Sequence, residues 1–419
     1  MAAPVTPPRG MRDILPAEKA RRERVLARIR SVYAAHGFDE IETPVVEDTA
    51  RLFSGLGGDN EKLAYAVMKR GLTTDDLRAA ATPLELADLG LRFDLTVPLA
   101  RFYASNRGAL PSVFRAIQIA PVWRAERPQK GRYRQFVQCD IDIIGESGVL
   151  AEAELITATA AALDALGIPG CSIRLNDRRL LTAWLTAAAV SAALQPKALI
   201  TLDKLDKIGL DAVVAELTEL GVANAAAMMG WIDLDADAES SWSMLERVPG
   251  DTAAAVADLR ALRQALPGMP LRFDPLLVRG MGYYTGPIFE VAHPELGYSL
   301  GGGGRYDGMI GRFLGADVPA TGFSLGFERL IDLVELDDDD RTDTVALVHD
   351  PALDLGTLMA LKSALVAEGS RVRLLKRPKN LKAALDQLAG EGCTRFALVG
   401  ADAPAEVAAL DWRRLDSAS

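Results

Sequence analysis

A short basic loop between two strand-like segments, within residues 114–145, constrains the fold of this chain more than any other feature. Residues 116–123 and 136–144 are rich in the β-branched and aromatic residues that favour strands, and Pro128 and Gly131 mark a turn between them. The pattern predicts an antiparallel hairpin. Its tip would present five basic side chains together, namely Arg124, Arg127, Lys130, Arg132 and Arg134.

The composition of this loop favours a phosphate-binding site. Guanidinium groups bind phosphate oxygens in pairs of hydrogen bonds and stay charged at any working pH. Arg124 stands at the predicted end of a strand, where we expect it to be rigid. Glu126, Asp140 and Asp142 lie among the bases, which favours a site that binds specific groups. The alternative is a solvated hairpin with surface ion pairs, which contribute little to stability.

Two later segments also carry candidate site residues. Residues 277–293, LVRGMGYYTGPIFEVAH, form a strand-like run with glycines, in which Arg279 lies among apolar neighbours. An unpaired buried charge costs about 3–5 kcal/mol, so Arg279 needs either a carboxylate partner or an anionic ligand. Residues 301–304 are four glycines, which let a backbone approach a ligand closely. Residues 321–330, TGFSLGFERL, predict a strand followed by a helix with Arg329 in its first turn.

Upstream, residues 91–101, LRFDLTVPLAR, contain an acid and a hydroxyl two positions apart. The alternation predicts a strand with Asp94 and Thr96 on one face. An exposed acid at the edge of a sheet is the alternative interpretation.

Together these segments resemble the class II aminoacyl-tRNA synthetases, and specifically the histidyl-tRNA synthetases. The hairpin loop resembles motif 2, residues 321–330 resemble motif 3, and residues 277–285 resemble the histidine-specific motif, with Gly282 where the family pattern has aspartate. Residues 37–46, with Pro44, resemble the dimer-forming motif 1, and residues 8–13 resemble the opening sequence of the family. The resemblance implies an α+β fold, with an antiparallel sheet of six or seven strands flanked by helices.

The resemblance also implies a role for each candidate site residue. Arg124 and Arg279 would be catalytic, because both would contact the α-phosphate of ATP. The other ATP contacts would come from Glu126, Arg132, Phe136, which would stack on adenine, and Arg329, which would bind the γ-phosphate. Histidine would be bound by Asp94, Leu95, Thr96, Gln138, Asp142, Tyr283, Tyr284 and Tyr306. Arg127 and Gln129 would approach the acceptor end of tRNA.

The implied activity is ATP-dependent ligation of L-histidine to histidine tRNA through a histidyl-adenylate, by a homodimer that uses ATP with Mg²⁺. Two alternatives stay open at this stage. One is a catalytically silent, histidine-sensing regulatory paralogue of an ATP phosphoribosyltransferase, and the other is a histidine-adenylating enzyme with a non-tRNA acceptor. Retention of Arg124 and Arg279 disfavours the first, and the basic loop disfavours the second.

The composition is consistent with this interpretation. A chain of 419 residues is expected to form two or three compact units. The net charge of −10 argues against general affinity for nucleic acid, although local basic patches can still bind it. Three cysteines and three histidines show no metal-ligand spacing, so no zinc is expected. A tightly bound organic cofactor is not expected either. No apolar run reaches the ~18 residues of a membrane span, so we expect a cytoplasmic protein without membrane contact.

The pattern along the chain predicts a catalytic core with attached parts. Residues 1–175 and 269–334 would form the core, 176–268 a mainly helical insertion, 335–341 an acidic linker, and 342–419 a short α/β domain resembling an anticodon-binding domain. In this last part, strands at 344–349, 371–375, 395–399 and 406–410 alternate with helices at 355–367 and 381–388, which predicts parallel pairing. Six basic residues lie between positions 371 and 382 without an intervening acid.

Overall fold

The computed structural model describes residues 5–56, 63–128, 131–279, 282–335 and 343–415. The chain divides into two compact units. The larger unit contains Arg22–Glu335 together with the segment up to Asp13, and the smaller contains the residues from 343 onward together with Ile14–Arg21.

The strands of the described residues are β1 (Asp39–Glu40), β2 (Val46–Asp48), β3 (Ala66–Met68), β4 (Ala87–Leu91), β5 (Phe114–Trp123), β6 (Gln135–Ile144), β7 (Ser172–Asp177), β8 (Leu271–Phe273), β9 (Pro287–Ala292), β10 (Gly301–Arg305), β11 (Ala320–Gly326), β12 (Thr344–His349), β13 (Arg371–Lys376), β14 (Arg395–Val399) and β15 (Trp412–Arg414). The helices are α1 (Pro16–Ala35), α2 (Thr49–Leu56), α3 (Thr74–Ala79), α4 (Thr96–Asn106), α5 (Leu150–Ala165), α6 (Arg178–Ala187), α7 (Gln195–Leu202), α8 (Leu205–Ile208), α9 (Leu210–Glu219), α10 (Ala225–Met229), α11 (Ser241–Met244), α12 (Ala253–Ala265), α13 (Asp307–Leu314), α14 (Phe327–Leu330), α15 (Leu355–Ala367) and α16 (Leu381–Gly390).

The larger unit is built on one sheet with the strand order β1-β5-β6-β11-β10-β9-β7-β8. The central pairs are antiparallel, which confirms the predicted α+β fold with an antiparallel sheet and flanking helices. The described residues give eight strands, where six or seven were expected. The outermost pairs, β1 with β5 and β7 with β8, are parallel, and β1 and β8 are too short to show a pattern in the sequence.

The predicted hairpin is confirmed as β5 and β6, which pair from Phe114 opposite Ile144 to Trp123 opposite Gln135. Residues 138–144 of β6 are buried on both faces of the sheet. Successive side chains of a strand point to opposite faces. Cys139, on one face, lies near Tyr33 of α1, whereas Gln138 and Asp142 line a cleft on the other face. The helices thus cover one side of β6, and its other side is available for a ligand.

The prediction of a strand across residues 91–101 was wrong. β4 ends at Leu91, and Thr96 is the first residue of α4. The side chain of Asp94 accepts a hydrogen bond from the backbone N–H of Val97 at 3.3 Å, and Pro98, which lacks an N–H, is suited to the first turn of a helix. These helix-start signals outweigh the alternation. Asp94 is only 2% exposed, which also excludes the alternative of an exposed acid.

The strand-like run at 277–293 is a strand only over β9, and the residues described between β8 and β9 form turns. Farther upstream, residues 178–265 form helices α6 to α12, as the sequence predicts for the region before β8. A separate three-stranded sheet has the order β2-β4-β3. Within the described ranges, every helix is too short or too polar to cross a membrane.

The smaller unit contains a four-stranded sheet with the order β13-β12-β14-β15. β12 pairs in parallel with β13 and β14, which confirms the predicted α/β pattern. The predicted strand at 406–410 was wrong, because Val407–Ala409 form a 3-10 turn and β15 follows it. Val407 and Leu410 both pack on the core of this unit, and their spacing of three residues fits a helical turn better than a strand.

Candidate active site

A cleft of about 300 Å³ lies over β6, β10 and β11 of the larger unit. Its lining includes thirteen residues predicted from the sequence, namely Asp94, Thr96, Arg124, Glu126, Arg132, Phe136, Gln138, Asp142, Arg279, Tyr283, Tyr284, Tyr306 and Arg329. Three predicted site residues are not part of this lining. Leu95 is fully buried at the start of α4, Arg127 is exposed on the loop between β5 and β6, and Gln129 lies outside the described residues.

One end of the cleft is acidic. Asp94, Asp140 and Asp142 are each less than 5% exposed. Tyr306 donates a hydrogen bond to Asp142 at 2.6 Å, and Tyr283 donates one to Asp94 at 3.5 Å. Burial raises the pKa of Asp142 to about 7, against the effect of the Tyr306 hydrogen bond. Burial also raises the pKa of Asp94, and burial together with the charge of Asp142 raises that of Asp140. A cationic ligand would lower these three pKa values, because it stabilises the charged carboxylates.

The position of Asp142 depends on a glycine in the neighbouring strand. Gly322 of β11 lies directly opposite Asp142 in the sheet. A Cβ atom at position 322 would be 1.8 Å from Oδ1 of Asp142, so no other residue leaves room for the carboxyl group. Three tyrosine rings form the adjoining wall, with ring centroids 4.9 Å apart for Tyr283 and Tyr284 and 6.1 Å apart for Tyr283 and Tyr306.

The other end of the cleft is basic, and Arg279 lies within it. Its Nη1 donates to Glu290 at 2.8 Å, and its Nε has no hydrogen-bond partner among the described residues. Burial lowers the pKa of this guanidinium, but Tyr284 and Glu290 outweigh burial, so that the pKa is raised and the charge is kept. The Arg279 side chain is partly buried, at 24% exposure, and a charged group with a buried, unused donor is suited to bind an anion. The sequence required a carboxylate partner or a ligand for Arg279, and the structure supplies the carboxylate while leaving a donor for a ligand.

Three more arginines line this end. Arg124 donates to the carbonyl of Phe93 at 3.1 Å, and its guanidinium lies 4.5 Å from the ring centroid of Phe93 and 5.1 Å from that of Phe136. Arg329 donates to the carbonyl of Ser299 at 2.5 Å. Burial, and next the positive charge of Arg132, lower the pKa of Arg329. These like charges favour a polyanionic ligand, which would neutralise them.

Several residues of the cleft were not assigned from the sequence. Asp140 could have been found, because it lies two residues from Asp142 on the same strand and so on the same face. Glu290 could also have been found, because it is the one acid in the run 277–293 and Arg279 in that run needs a carboxylate partner. Glu328 had no such signal, since its partners are distant in the sequence. Glu328 binds Arg12 and Arg22, which are more than 300 positions away. The backbone of Ser299–Gly303 also lines the cleft, as the glycine run suggested.

The arrangement can therefore hold a small cationic molecule beside a polyphosphate. The carboxyl and hydroxyl groups at the acidic end suit an ammonium or another N–H donor, and the arginines suit phosphate oxygens. Within the described residues, no group of three or more histidine, cysteine, aspartate or glutamate side chains has an arrangement that could hold a metal ion.

Comparison with known proteins gives consistent results. A family model described as histidyl-tRNA synthetase matches residues 10–330. The chain is 62% identical to the histidine–tRNA ligase of Leifsonia xyli subsp. xyli over 99% of both chains. It is 40% identical to the histidine–tRNA ligase of Aeropyrum pernix over 78% of this chain and 73% of that one.

Solved structures agree with the sequence comparisons. The crystal structure of histidyl-tRNA synthetase from Nostoc sp. PCC 7120 superposes with a TM-score of 0.77 at 25% identity, over 99% of this chain and 96% of that one. An ATP phosphoribosyltransferase regulatory subunit/histidyl-tRNA synthetase from Bacillus halodurans superposes with a TM-score of 0.76 over 96% and 99%. Its identity of 21% shows that the fold is shared and nothing more.

Proposed function

Since this chain belongs to the histidyl-tRNA synthetase family and ligates histidine to tRNA in an ATP-dependent reaction, we propose that the cleft over β6, β10 and β11 is where histidine is activated and transferred. The observation that carries the proposal is the position of Arg279, which lies in a cleft that has buried acids at one end and arginines at the other. An amino acid and a nucleotide triphosphate could meet there with their reacting groups beside one guanidinium.

Histidine would bind at the acidic end. Asp94 and Thr96, which are both close to the hydroxyl of Tyr283, would receive the α-ammonium group. Asp142, held by Tyr306, would accept an N–H of the imidazole, with Gln138, Tyr283 and Tyr284 completing the pocket. Leu95 would contribute by fixing the start of α4 between Asp94 and Thr96, because its side chain is fully buried and its carbonyl accepts from Gln118 at 3.0 Å.

ATP, which enters as its Mg²⁺ complex, would bind at the basic end. Its adenine would stack on Phe136, its α-phosphate would contact Arg124 and Arg279, and its outer phosphates would contact Arg329. Arg132 would also contact ATP, and its ion pair with Glu126 would hold it at this end of the cleft.

The chemistry follows from this placement. A carboxylate oxygen of histidine attacks the α-phosphorus, the bond from the α-phosphorus to the bridging oxygen breaks, and pyrophosphate leaves. The terminal ribose hydroxyl of tRNA then attacks the histidyl carbonyl and releases AMP. In the first step the chain supplies positioning and neutralises phosphate charge, which are the main sources of catalysis in such transfers.

The tRNA would be contacted in two places. Arg127 is exposed on the loop between β5 and β6, and with Gln129 it would approach the acceptor end. In the smaller unit, β13 is an edge strand, and Arg371, Lys376, Arg377, Lys379 and Lys382 are exposed on it or just after it. Such a basic edge suits the phosphates of an anticodon stem.

We also propose a homodimer, formed through the three-stranded sheet beside Pro44. Apolar side chains are exposed there, with Val45 at 43%, Met68 at 60% and Leu89 at 37%. An exposed apolar patch is a common sign of a protein interface. Sedimentation of the wild type and of Met68→Asp tests this proposal, which fails if the wild type is a monomer.

The domain boundaries predicted from the sequence remain proposals: a core at 1–175 and 269–334, an insertion at 176–268, a linker at 335–341 and a C-terminal domain at 342–419. A cytoplasmic location also remains a proposal, supported by the need for tRNA and ATP. The alternatives of a silent regulatory paralogue and of a non-tRNA acceptor are not favoured, because the relative with 62% identity is a histidine–tRNA ligase.

The experiment that tests the function is charging of total tRNA with labelled histidine, ATP and Mg²⁺, with the other amino acids as controls. We expect product with histidine alone. Arg279→Ala should abolish histidine-dependent exchange of pyrophosphate into ATP, whereas Arg78→Ala, a matched control at a side chain that is 76% exposed, should not. Near-normal exchange by folded Arg279→Ala, or charging with another amino acid, would overturn the proposal.

A further inference from the structure

A short segment near the start of the chain, residues 8–13, packs against the loop between β5 and β6. It turns at Gly10, which has φ +82°, and the N–H of Met11 donates to the carbonyl of Pro8 at 2.9 Å. The carbonyl of Gly10 accepts a hydrogen bond from the backbone N–H of Arg134 at 2.8 Å, and the carbonyl of Arg9 accepts from Nη1 of Arg134 at 3.4 Å. The segment is thus attached directly to the base of the loop.

Gly10 leaves no space between the segment and the loop. A Cβ atom at this position would lie 2.7 Å from Cγ of Pro128 and 2.9 Å from Cγ and Cδ of Arg134. These two residues stand on opposite sides of the turn in the loop. Any side chain larger than that of glycine must therefore push the segment and the loop apart.

Arg12 fixes the same segment to the core of the larger unit. Its guanidinium lies 4.4 Å from the ring centroid of Tyr133 in the loop, and it donates to Oε2 of Glu328 at 2.6 Å. Glu328 also binds both terminal nitrogens of Arg22, at 2.6 and 2.7 Å, and accepts from the N–H of Val137 at 3.3 Å. Arg12 therefore connects the loop to a carboxylate that is already held by α1 and β6.

Contacts within the loop connect Arg134 to the residues that line the basic end of the cleft. The N–H of Arg124 donates to the carbonyl of Arg134 at 2.9 Å, and Nε of Arg134 donates to the carbonyl of Glu126 at 3.0 Å. Glu126 in turn forms an ion pair with Arg132. A displacement of Arg134 thus moves Arg124, Glu126 and Arg132, which all line the cleft.

We propose that Gly10 and Arg12 are positioning residues, which hold this loop so that its arginines face ATP in the cleft and the tRNA acceptor end outside it. The identity of the two substrates rests on the proposed function. The acidic end is held differently, because Asp142 is fixed by Tyr306 and by the space over Gly322. Arg124 also donates to Gln138 of the acidic end, but only at 3.4 Å. Loss of the contacts made by Gly10 or Arg12 should therefore weaken binding of ATP and tRNA much more than that of histidine.

The matched variants are Gly10→Ala and Gly167→Ala. Gly167 has a similar φ of +67°, but a Cβ atom there would meet nothing within 4 Å, so this control carries the backbone strain without the contact to the loop. We expect Gly10→Ala to raise the KM for ATP in histidine-dependent pyrophosphate exchange, and the KM for tRNA in charging, by about tenfold or more, since displacements near 1 Å have large effects on such sites. The KM for histidine should stay within about twofold of that of the control.

A second pair of variants and a structural measurement complete the test. Arg12→Gln should act like Gly10→Ala, with Arg12→Lys closer to the wild type, and these variants carry the test if Gly10→Ala fails to fold. Trypsin should cleave after Arg132 faster in Gly10→Ala and Arg12→Gln than in Gly167→Ala. Equal cleavage rates, or KM values for all three substrates that rise together, would overturn the proposal. If the wild type shows no histidine-dependent exchange, the proposed function fails, and the cleavage rates still decide whether the segment holds the loop.

Discussion

Replacing Gly302 by alanine should impair adenylate formation without removing any functional group. Gly302 lies in β10 opposite Glu290 of β9, the partner of Arg279. A Cβ atom at position 302 would be 2.6 Å from Nη1 and 2.7 Å from Cζ of Arg279. Ordinary contact begins at 3.4 Å, so the guanidinium must move by 0.8 Å from its position against the strand.

This displacement sets the expected magnitude. A misplacement of about 1 Å costs on the order of 100-fold in rate. At about 1.36 kcal/mol for each factor of ten, the loss is about 2.7 kcal/mol of transition-state stabilisation. The new Cβ would also lie 2.8 Å from the carbonyl of Phe289, and such overpacking costs about 1–3 kcal/mol of folding stability. A domain with about 5–15 kcal/mol of stability remains folded after that loss.

The assay is kcat/KM for histidine-dependent exchange of pyrophosphate into ATP, measured beside thermal unfolding. The matched control is Gly308→Ala, in the first turn of α13, where a Cβ atom would meet nothing within 4 Å. We expect Gly302→Ala to lose about 100-fold in kcat/KM and the control to stay near the wild type. Exchange by Gly302→Ala within threefold of the control would refute the reasoning, as would a loss that is fully explained by a smaller folded fraction.

Three further predictions follow from the site and its surroundings. Tyr306→Phe should move the acidic limb of the pH profile of kcat/KM for histidine to higher pH. Burial raises the pKa of Asp142 to about 7, and the hydrogen bond from Tyr306 lowers it by stabilising the carboxylate. Because the variant lacks that bond, the pKa of Asp142 should rise further. If the acidic limb does not move, the limb reports ionisation of the imidazole of free histidine and not of Asp142. Arg305→Ala removes the ion-pair partner, at 2.7 Å, of the fully buried Glu152. Urea denaturation should show that the free energy of unfolding falls by about 3–5 kcal/mol, and a fall below about 1 kcal/mol would contradict a stabilising role for the pair. A Cβ atom at position 282 would meet nothing within 4 Å among the described residues. Thermal melts of Gly282→Asp should therefore show a change within about 0.5 kcal/mol, and a larger loss would show that the position is constrained.

The parts of the fold that the sequence predicted well are those with strong local periodicity. β5 and β6 have alternating apolar residues on either side of an unmistakable turn, and in the smaller unit β12, α15 and β14 lie at the predicted bounds. The cleft residues on these and neighbouring strands could be predicted from the same motifs. Residues that share a strand face, such as Gln138 and Asp142, come together because the side-chain period of a strand is two.

The parts that could not be predicted depend on contacts between distant residues or on competing local signals. Asp94 and Thr96 alternate like strand residues, but Asp94 bonds to the N–H of Val97 and a helix begins instead. Glu328 becomes a junction only because Arg12 and Arg22 reach it from the other end of the chain. Sequence periodicity cannot predict ion pairs between such distant residues, because they depend on how the whole unit packs.

The order of strands in the main sheet has a consequence for synthesis of the chain. β6 pairs on one side with β5, which precedes it closely, and on the other with β11, which begins about 175 residues after β6 ends. At about 5–20 residues per second, a ribosome needs roughly 10–35 s to supply that second partner. During this interval the nascent chain carries a complete hairpin whose inner edge, with Ile141 and Ile143, has no neighbour. Binding by a chaperone would protect that edge from pairing with another chain until β11 arrives.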